Sequence, residues 1–364
     1  MKIAQLHIKQ FRCFSDIVIP CNYPAVLIVG NNGTGKTSIL EALHYVCYLR
    51  SFRTHSPKEL IQFDQETFFI KVTFKAQSAG DLGRELQVGF SPKKRLVKLD
   101  KRTIVSYKEL LDHYRVVTIT EDDLELIKGG PEYRRMFIDQ ALFLMDGVYT
   151  EQLKKYRQIL ENRNALLQHH TVDMPSYHLW TEQLFEISEL LAHKRIEWLS
   201  AVERIVQELL VRYVDPEISV SFEYQSKKSA YGQSYDQFMQ STPSLYEQEM
   251  RFRRSLFGVH LDDFLITFQG KRSRQFASRG QQKLLVLLVK VAQIKYMHGF
   301  AGSILFLLDD FMTDFDEQRV SQLIPLLSGL GCQLIFTSPC KGRVIDGLLM
   351  QHGAHLVDLT HSNT

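Results

Sequence analysis

At 364 residues, 45% hydrophobic and 23% charged, the chain has the composition of an average soluble globular protein and room for two domains or one interrupted domain. A net charge of +3 excludes a chain-wide basic coat, so any nucleic-acid surface is local. The longest apolar runs, such as 284–289, are too short to span a bilayer, and Lys2, Lys9 and Arg12 break up any secretory segment. Five scattered cysteines (Cys13, Cys21, Cys47, Cys332 and Cys340) form no CxxC pair and read as free thiols, which suits a cytoplasmic protein.

In chain order, "IAQLHIKQF" and "FSDIVIP" alternate as strands, and "AVLIV" is a continuous buried strand. The spacing in "TSILEALHYVCYL" predicts a helix. "FFIKVTFKA", "RELQVGF" and "RLVKLDKRTIV" return to strand alternation, with a turn at "SPKK". From about Tyr107 to Tyr213 the pattern is helical, interrupted only by the strand-like "VVTIT", and it ends in a run of nearly 40 residues that implies a long helix pair. "EISVSFEY" is a strand, and 232–258 is helical or loose. From His260 onward strands and helices alternate: "FLITFQGK", "GQQKLLVLLVKVAQIKYM", "SILFLLDD", "EQRVSQLIPLLSGL", "CQLIFTS" and "AHLVDL". The expectation is an α/β domain built from 1–106 and 260–364, split by a mostly helical insertion at 107–259.

The stretch "GNNGTGKT", Gly30, Asn31, Asn32, Gly33, Thr34, Gly35, Lys36 and Thr37, fits GxxxxGK[ST] and lies between a strand and a helix. Glycines there let successive N–H groups face inward as an anion nest, and the helix start adds partial positive charge. Lys36 reaches the β- and γ-phosphates in this reading, and the Thr37 hydroxyl ligates Mg²⁺. "SILFLLDD" supplies the acidic partner: Asp309 for the Mg²⁺ shell, Asp310 to orient or deprotonate a water. The competing role for these acids is capping the next helix. Asp309 follows Lys36 by 273 positions, a separation that fits few small-molecule kinases and implies an inserted module. Between them, in "FASRGQQK", Ser278, Gly280 and Gln281 open a second helix that suits an anion. One chain already has a phosphate cradle, so a second is most useful against the ATP of another copy.

Phosphate loop, helical insertion, SxGQ and acidic strand, in that order, resemble the ABC-type heads of chromosome-maintenance ATPases. The resemblance narrows to the RecF family of bacterial recombination mediators. It is carried by "KIAQLHIKQFRCF", "NNGTGKTSILEALHYVCYLRSFR", "TEDDLELIKGGPEYRRMFIDQALF", "YTEQLKKYRQILENRNALL", "GVHLDDFLITFQGK" and "LLDDFMTDFDEQR", which cover nearly the whole chain. Two positions depart: Leu261 stands where the family usually has Arg, and "DFD" at Asp314–Asp316 stands where it has a sequence close to "ELD". The resemblance implies an ABC-ATPase-like head of mixed sheets with flanking helices. It implies a weak, DNA-stimulated ATPase that dimerises on ATP and Mg²⁺, with Ser278, Gly280 and Gln281 acting in trans. It also implies binding to double-stranded DNA near single-strand gaps, RecA loading with RecO and RecR, and a part in the SOS response.

Local basic clusters are the DNA candidates: Lys93, Lys94 and Arg95 with Lys98, Lys101 and Arg102; Arg134 and Arg135; Arg251, Arg253 and Arg254; and Lys271, Arg272 and Arg274. Such clusters track phosphates without reading bases, whereas a solvated charged face is the ordinary alternative. Arg50 and Arg53 suit either the phosphates or an acidic neighbour. Two other functions fit the loop: a structural DNA-binding protein that holds ATP without hydrolysing it, and the head of a transport or other chromosome-maintenance complex.

Overall fold

In a computed structural model, residues 2–75, 84–104, 109–111, 114–227, 231–297, 303–339 and 344–360 are described; Cys340 lies outside them. The chain divides into two compact units, 1–123 with 294–364 and 124–293. The sequence boundaries at 106/107 and 259/260 differ from these because of two strands. β8 (Tyr114–Ile119), the "VVTIT" break, pairs in parallel with β12 (Ser303–Leu308), which places it in the first unit. β10 (Asp263–Phe268) pairs with β9 (Val220–Gln225), which places it in the second.

The first unit has two sheets. Antiparallel β1 (Ile3–Phe11), β2 (Phe14–Pro20), β4 (Phe68–Phe74), β5 (Glu85–Ser91), β6 (Lys94–Leu99) and β7 (Arg102–Thr103) are ordered β2-β1-β4-β5-β6-β7. Their alternation buries one face, as at Phe68, Ile70, Val72 and Phe74. The second sheet is parallel, ordered β14-β3-β13-β12-β8, with β3 at Ala25–Val29, β13 at Gln333–Ser338 and β14 at Ala354–Asp358. β3 and β12 are apolar without alternation because both faces of a parallel sheet are covered. The Gln333 side chain accepts the Ile3 N–H at 2.8 Å and donates to the carbonyls of Ile3 and Cys21 at 3.0 and 2.5 Å, so it ties the two sheets together.

In the second unit the predicted helix pair is real: Gly147–Gln168 and the 40-residue Met174–Tyr213, each N-capped by an aspartate, Asp146 and Asp173. An ion pair with no exposure on either side holds this unit together. The Arg163 guanidinium donates to both Glu249 oxygens, at 3.0 and 2.6 Å, and Thr181, Ser255, Tyr177 and the Leu256 N–H satisfy the remaining polar atoms. β9, β10 and β11 (Lys271–Arg272) make a small antiparallel sheet leading into the short helix Ser273–Phe276 and the helix Arg279–Met297. Among the described residues no helix is long and apolar enough to cross a membrane.

Candidate nucleotide site

β3 delivers the chain at Gly30 to the loop, and the helix α1 (Lys36–Tyr48) leaves it. This is the strand–loop–helix context that makes the motif chemically meaningful. Gly33 and Gly35 take φ of +87° and +91°, which L-residues with a Cβ avoid. Gly35 has a second reason: a Cβ there would run into the Phe14 ring and the Cys13 sulfur. Gly30, Gly33, Gly35 and the exposed Asn31 and Asn32 thus form one curl, closed by the Thr34 hydroxyl donating to Asn31 O at 2.9 Å. The Lys36 ammonium sits inside it, 5% exposed, donating to Gly30 O at 2.9 Å and Asn31 O at 3.3 Å. A cation within a ring of backbone amides is a receptor for phosphate.

The acidic partner arrives on β12, whose pairing with β13, and β13's with β3, brings its C-terminal end to the same edge as the loop. Thr37 Oγ1 donates to Asp309 Oδ1 at 2.9 Å, so two residues 272 positions apart meet directly. These are hard oxygen donors of the kind Mg²⁺ takes. Thr37 and Asp309 would hold that ion, whose chemistry there is neutralisation of charge on the β- and γ-phosphates. Burial pushes the Asp309 carboxyl above its usual range; hydrogen bonds from Thr37 and Thr337 pull it back, and the charge of Asp310 raises it again. A cation at this point favours the carboxylate that binds it. Asp310 follows at φ +48°, its N–H donating to Thr337 Oγ1 at 2.7 Å. The helix-capping role falls instead to Asp316, which accepts the Arg319 N–H at 2.6 Å at the start of Glu317–Ser328.

Beneath the loop lies a cluster that sequence reading missed. Glu41 on α1 is wholly buried and takes a two-pronged bond from Arg12 at 2.8 and 2.7 Å, a bond from Ser51, and Arg53 at 3.7 Å. Arg53 therefore faces an acid of its own unit, while Arg50 lies over the Tyr48 ring at 5.9 Å. A lone Glu in the apolar run "ILEALHYV" was the available signal, because a buried carboxylate demands a partner.

In the second unit Ser278, Gly280 and Gln281 open the helix Arg279–Met297. The Gln281 N–H donates to Ser278 Oγ at 3.3 Å, and the Ser278 N–H donates to Gln281 Oε1 at 2.8 Å, a reciprocal capping box. Ser278 and Gly280 are exposed, and a Cβ added at Gly280 would meet nothing within 4 Å. Gly280 has no positive φ either, so among the described residues nothing requires a glycine there.

The basic clusters separate by burial. Lys93, Lys94 and Arg95 are exposed at the β5–β6 turn, with Arg95 donating to Leu49 O at 3.1 Å. Lys271, Arg272 and Arg274 are exposed on and just after β11, beside Phe276, which is 64% exposed. Arg134 belongs elsewhere: it is 6% exposed, grips Asp263 at 2.6 and 2.8 Å and donates to Gly129 O at 2.9 Å. Arg135 donates to Asp262 O at 2.7 Å. Arg253 donates to the Leu167 and His169 carbonyls, which leaves Arg251 and Arg254 as the exposed cations of its group.

The RecF/RecN/SMC N-terminal domain family matches residues 2–351. The DNA replication and repair protein RecF of Halalkalibacterium halodurans is 32% identical over 341 residues, 89% of each chain. The RecF of Geotalea daltonii is 27% identical over 93% of each. Among solved structures, the recombination mediator protein RecF with ATP aligns with a TM-score of 0.79 at 23% identity, over 98% of this chain and 97% of that one. The fold is therefore the ABC-type head of that group, mixed sheets with flanking helices, and the chain belongs to the RecF family.

Proposed function

We propose that this chain is an ATP-dependent DNA-binding protein of DNA replication and repair, in which ATP joins two copies into a clamp. Gly30–Thr37 of one copy hold the phosphates, with Mg²⁺ on Thr37 and Asp309. Ser278, Gly280 and Gln281 of the other copy close over the γ-phosphate. Asp310 orients the water whose slow attack resets the clamp. ATP bound between copies favours the dimer over the monomer, and that differential affinity drives closure. The observation that carries this reading is the exposed start of Arg279–Met297, where Ser278 and Gln281 bond to each other and a Cβ at Gly280 would meet nothing within 4 Å, which leaves that helix end open to an anion.

The relatives named above support the repair role, and the ATP-bound solved structure supports nucleotide binding. The finer assignments belong to the same reading: sequence-independent binding at gaps through Lys93, Lys94, Arg95, Arg135, Lys271 and Arg272, RecA loading with RecO and RecR, the SOS response and a cytoplasmic location. Arg134 leaves the DNA set because its guanidinium is committed to Asp263. Sedimentation velocity with and without ATP, and with a gapped duplex, tests the proposal. The outcome in its favour is dimerisation by ATP and co-sedimentation with DNA that weakens steeply with salt; a monomer in all conditions sinks it.

A further inference from the structure

One residue of the first unit joins both acids and has no role in the reading above. Thr337, on β13, is 4% exposed. Its hydroxyl oxygen accepts the Asp310 backbone N–H at 2.7 Å and lies 3.0 Å from Asp309 Oδ1. A hydroxyl has a single proton, and the Asp310 contact already supplies one, so the Thr337 proton is directed to Asp309. Asp309 Oδ1 therefore takes two hydroxyl donors, Thr37 from α1 at 2.9 Å and Thr337 from β13. They restrain the carboxylate from two sides of the sheet edge. On its other lone pair, the same hydroxyl anchors Asp310 at φ +48°, a left-handed conformation that L-residues rarely adopt.

We infer that Thr337 is a positioning residue of the nucleotide site: its hydroxyl sets the orientation of the carboxylate that holds Mg²⁺ and the backbone turn that presents Asp310. Partners one step removed from a metal typically change affinity or activity by 10–100-fold when lost. A residue that only packs β13 against its neighbours would lower stability and leave the metal requirement alone. The inference rests on the proposed Mg²⁺·ATP reading of Gly30–Thr37 and Asp309.

Thr337→Val keeps the volume and the branched Cβ and removes the hydroxyl; Thr337→Ser keeps the hydroxyl. Binding of a fluorescent ATP analogue is measured in EDTA and across a Mg²⁺ titration, together with Mn²⁺ electron paramagnetic resonance of the protein–nucleotide complex and thermal unfolding. Thr337→Val is expected to bind the analogue normally in EDTA, to need about tenfold more Mg²⁺ for half its effect, and to show an altered Mn²⁺ spectrum. Thr337→Ser is expected to match the parent in all three. A Thr337→Val protein with the parent's Mg²⁺ requirement and Mn²⁺ spectrum overturns the inference, as does equal impairment of the Ser variant. Should the Val variant unfold, Thr337→Ala removes the same hydroxyl without adding an apolar branch and carries the same comparison. Failure of the unmutated protein to bind the analogue at all would instead sink the nucleotide reading itself.

Discussion

The phosphate loop and the SRGQQ segment are both glycine-bearing helix starts, yet they are finished to different degrees. In the first unit the side chains around the loop are held by named partners: Lys36 on loop carbonyls, Thr37 on Asp309, Thr337 on both acids, Glu41 on Arg12, Ser51 and Arg53. In the second unit Ser278 and Gln281 bond chiefly to each other, on an exposed helix end. The first arrangement is preorganised for a ligand that one chain binds alone. The second is a capped helix whose end stays open to solvent, with open space beside Gly280.

The two regions should respond differently to substitution. The largest effect is expected from Lys36→Arg, whose longer, planar head does not fit the curl. Phosphate release should fall about a hundredfold or more and ATP-dependent dimerisation should fail, with the far-UV circular dichroism unchanged. Normal turnover and assembly by that variant would remove the loop from the mechanism. Asp310→Asn should retain ATP-driven dimerisation in light scattering while turnover falls by roughly 10²–10⁴-fold; unchanged turnover would remove Asp310 from the catalytic step. Gly280→Ala is the sharpest contrast. It should stabilise the monomer by up to about 1 kcal/mol in urea unfolding and still weaken ATP-dependent assembly. A variant that is more stable and assembles normally would erase the distinction between the two helix starts.

The smallest effect is a pH dependence confined to the second unit. His260 is half-buried and faces Arg135, Arg163 and Arg254, and loss of solvation is the main force that holds its pKa down at about 4 against an ordinary 6.5. The unfolded chain therefore binds the extra proton first. Stability should be fully present above pH 6.5 and decline as the pH falls toward 4. Replacing His260 with Gln should flatten that slope in thermal unfolding across the range.

Much of this site could be read directly from residues because phosphate chemistry constrains spacing. A loop of that form must lie between strand and helix, and an acid must end a neighbouring strand. What escaped reading was non-local. "VVTIT" alternates too little to reveal that it is the edge strand beside β12, since parallel pairing leaves no mark in either partner alone. Arg134 looks like a surface cation next to Arg135, and only the fold brings it to Asp263, 129 positions away. Thr337 is an ordinary β-former at a strand end until β12 lies beside it. Glu41 also escaped, although it left a local signal, since a charge stranded in an apolar helix needs a partner.

The position of β3 bears on how such a protein is made. Its two neighbours in the sheet are β13 and β14, residues 333–358, so the strand that carries the phosphate loop stands without lateral support until those residues exist. β1 differs, because its neighbours β2 and β4 are made early, and Gln333 adds only the tie to Ile3 across 330 positions. A nascent chain translated from its N-terminus carries the loop sequence early but has no β3 edge pairing until synthesis has passed residue 333. A chain cut short of residue 333 therefore lacks both of the strands that flank β3.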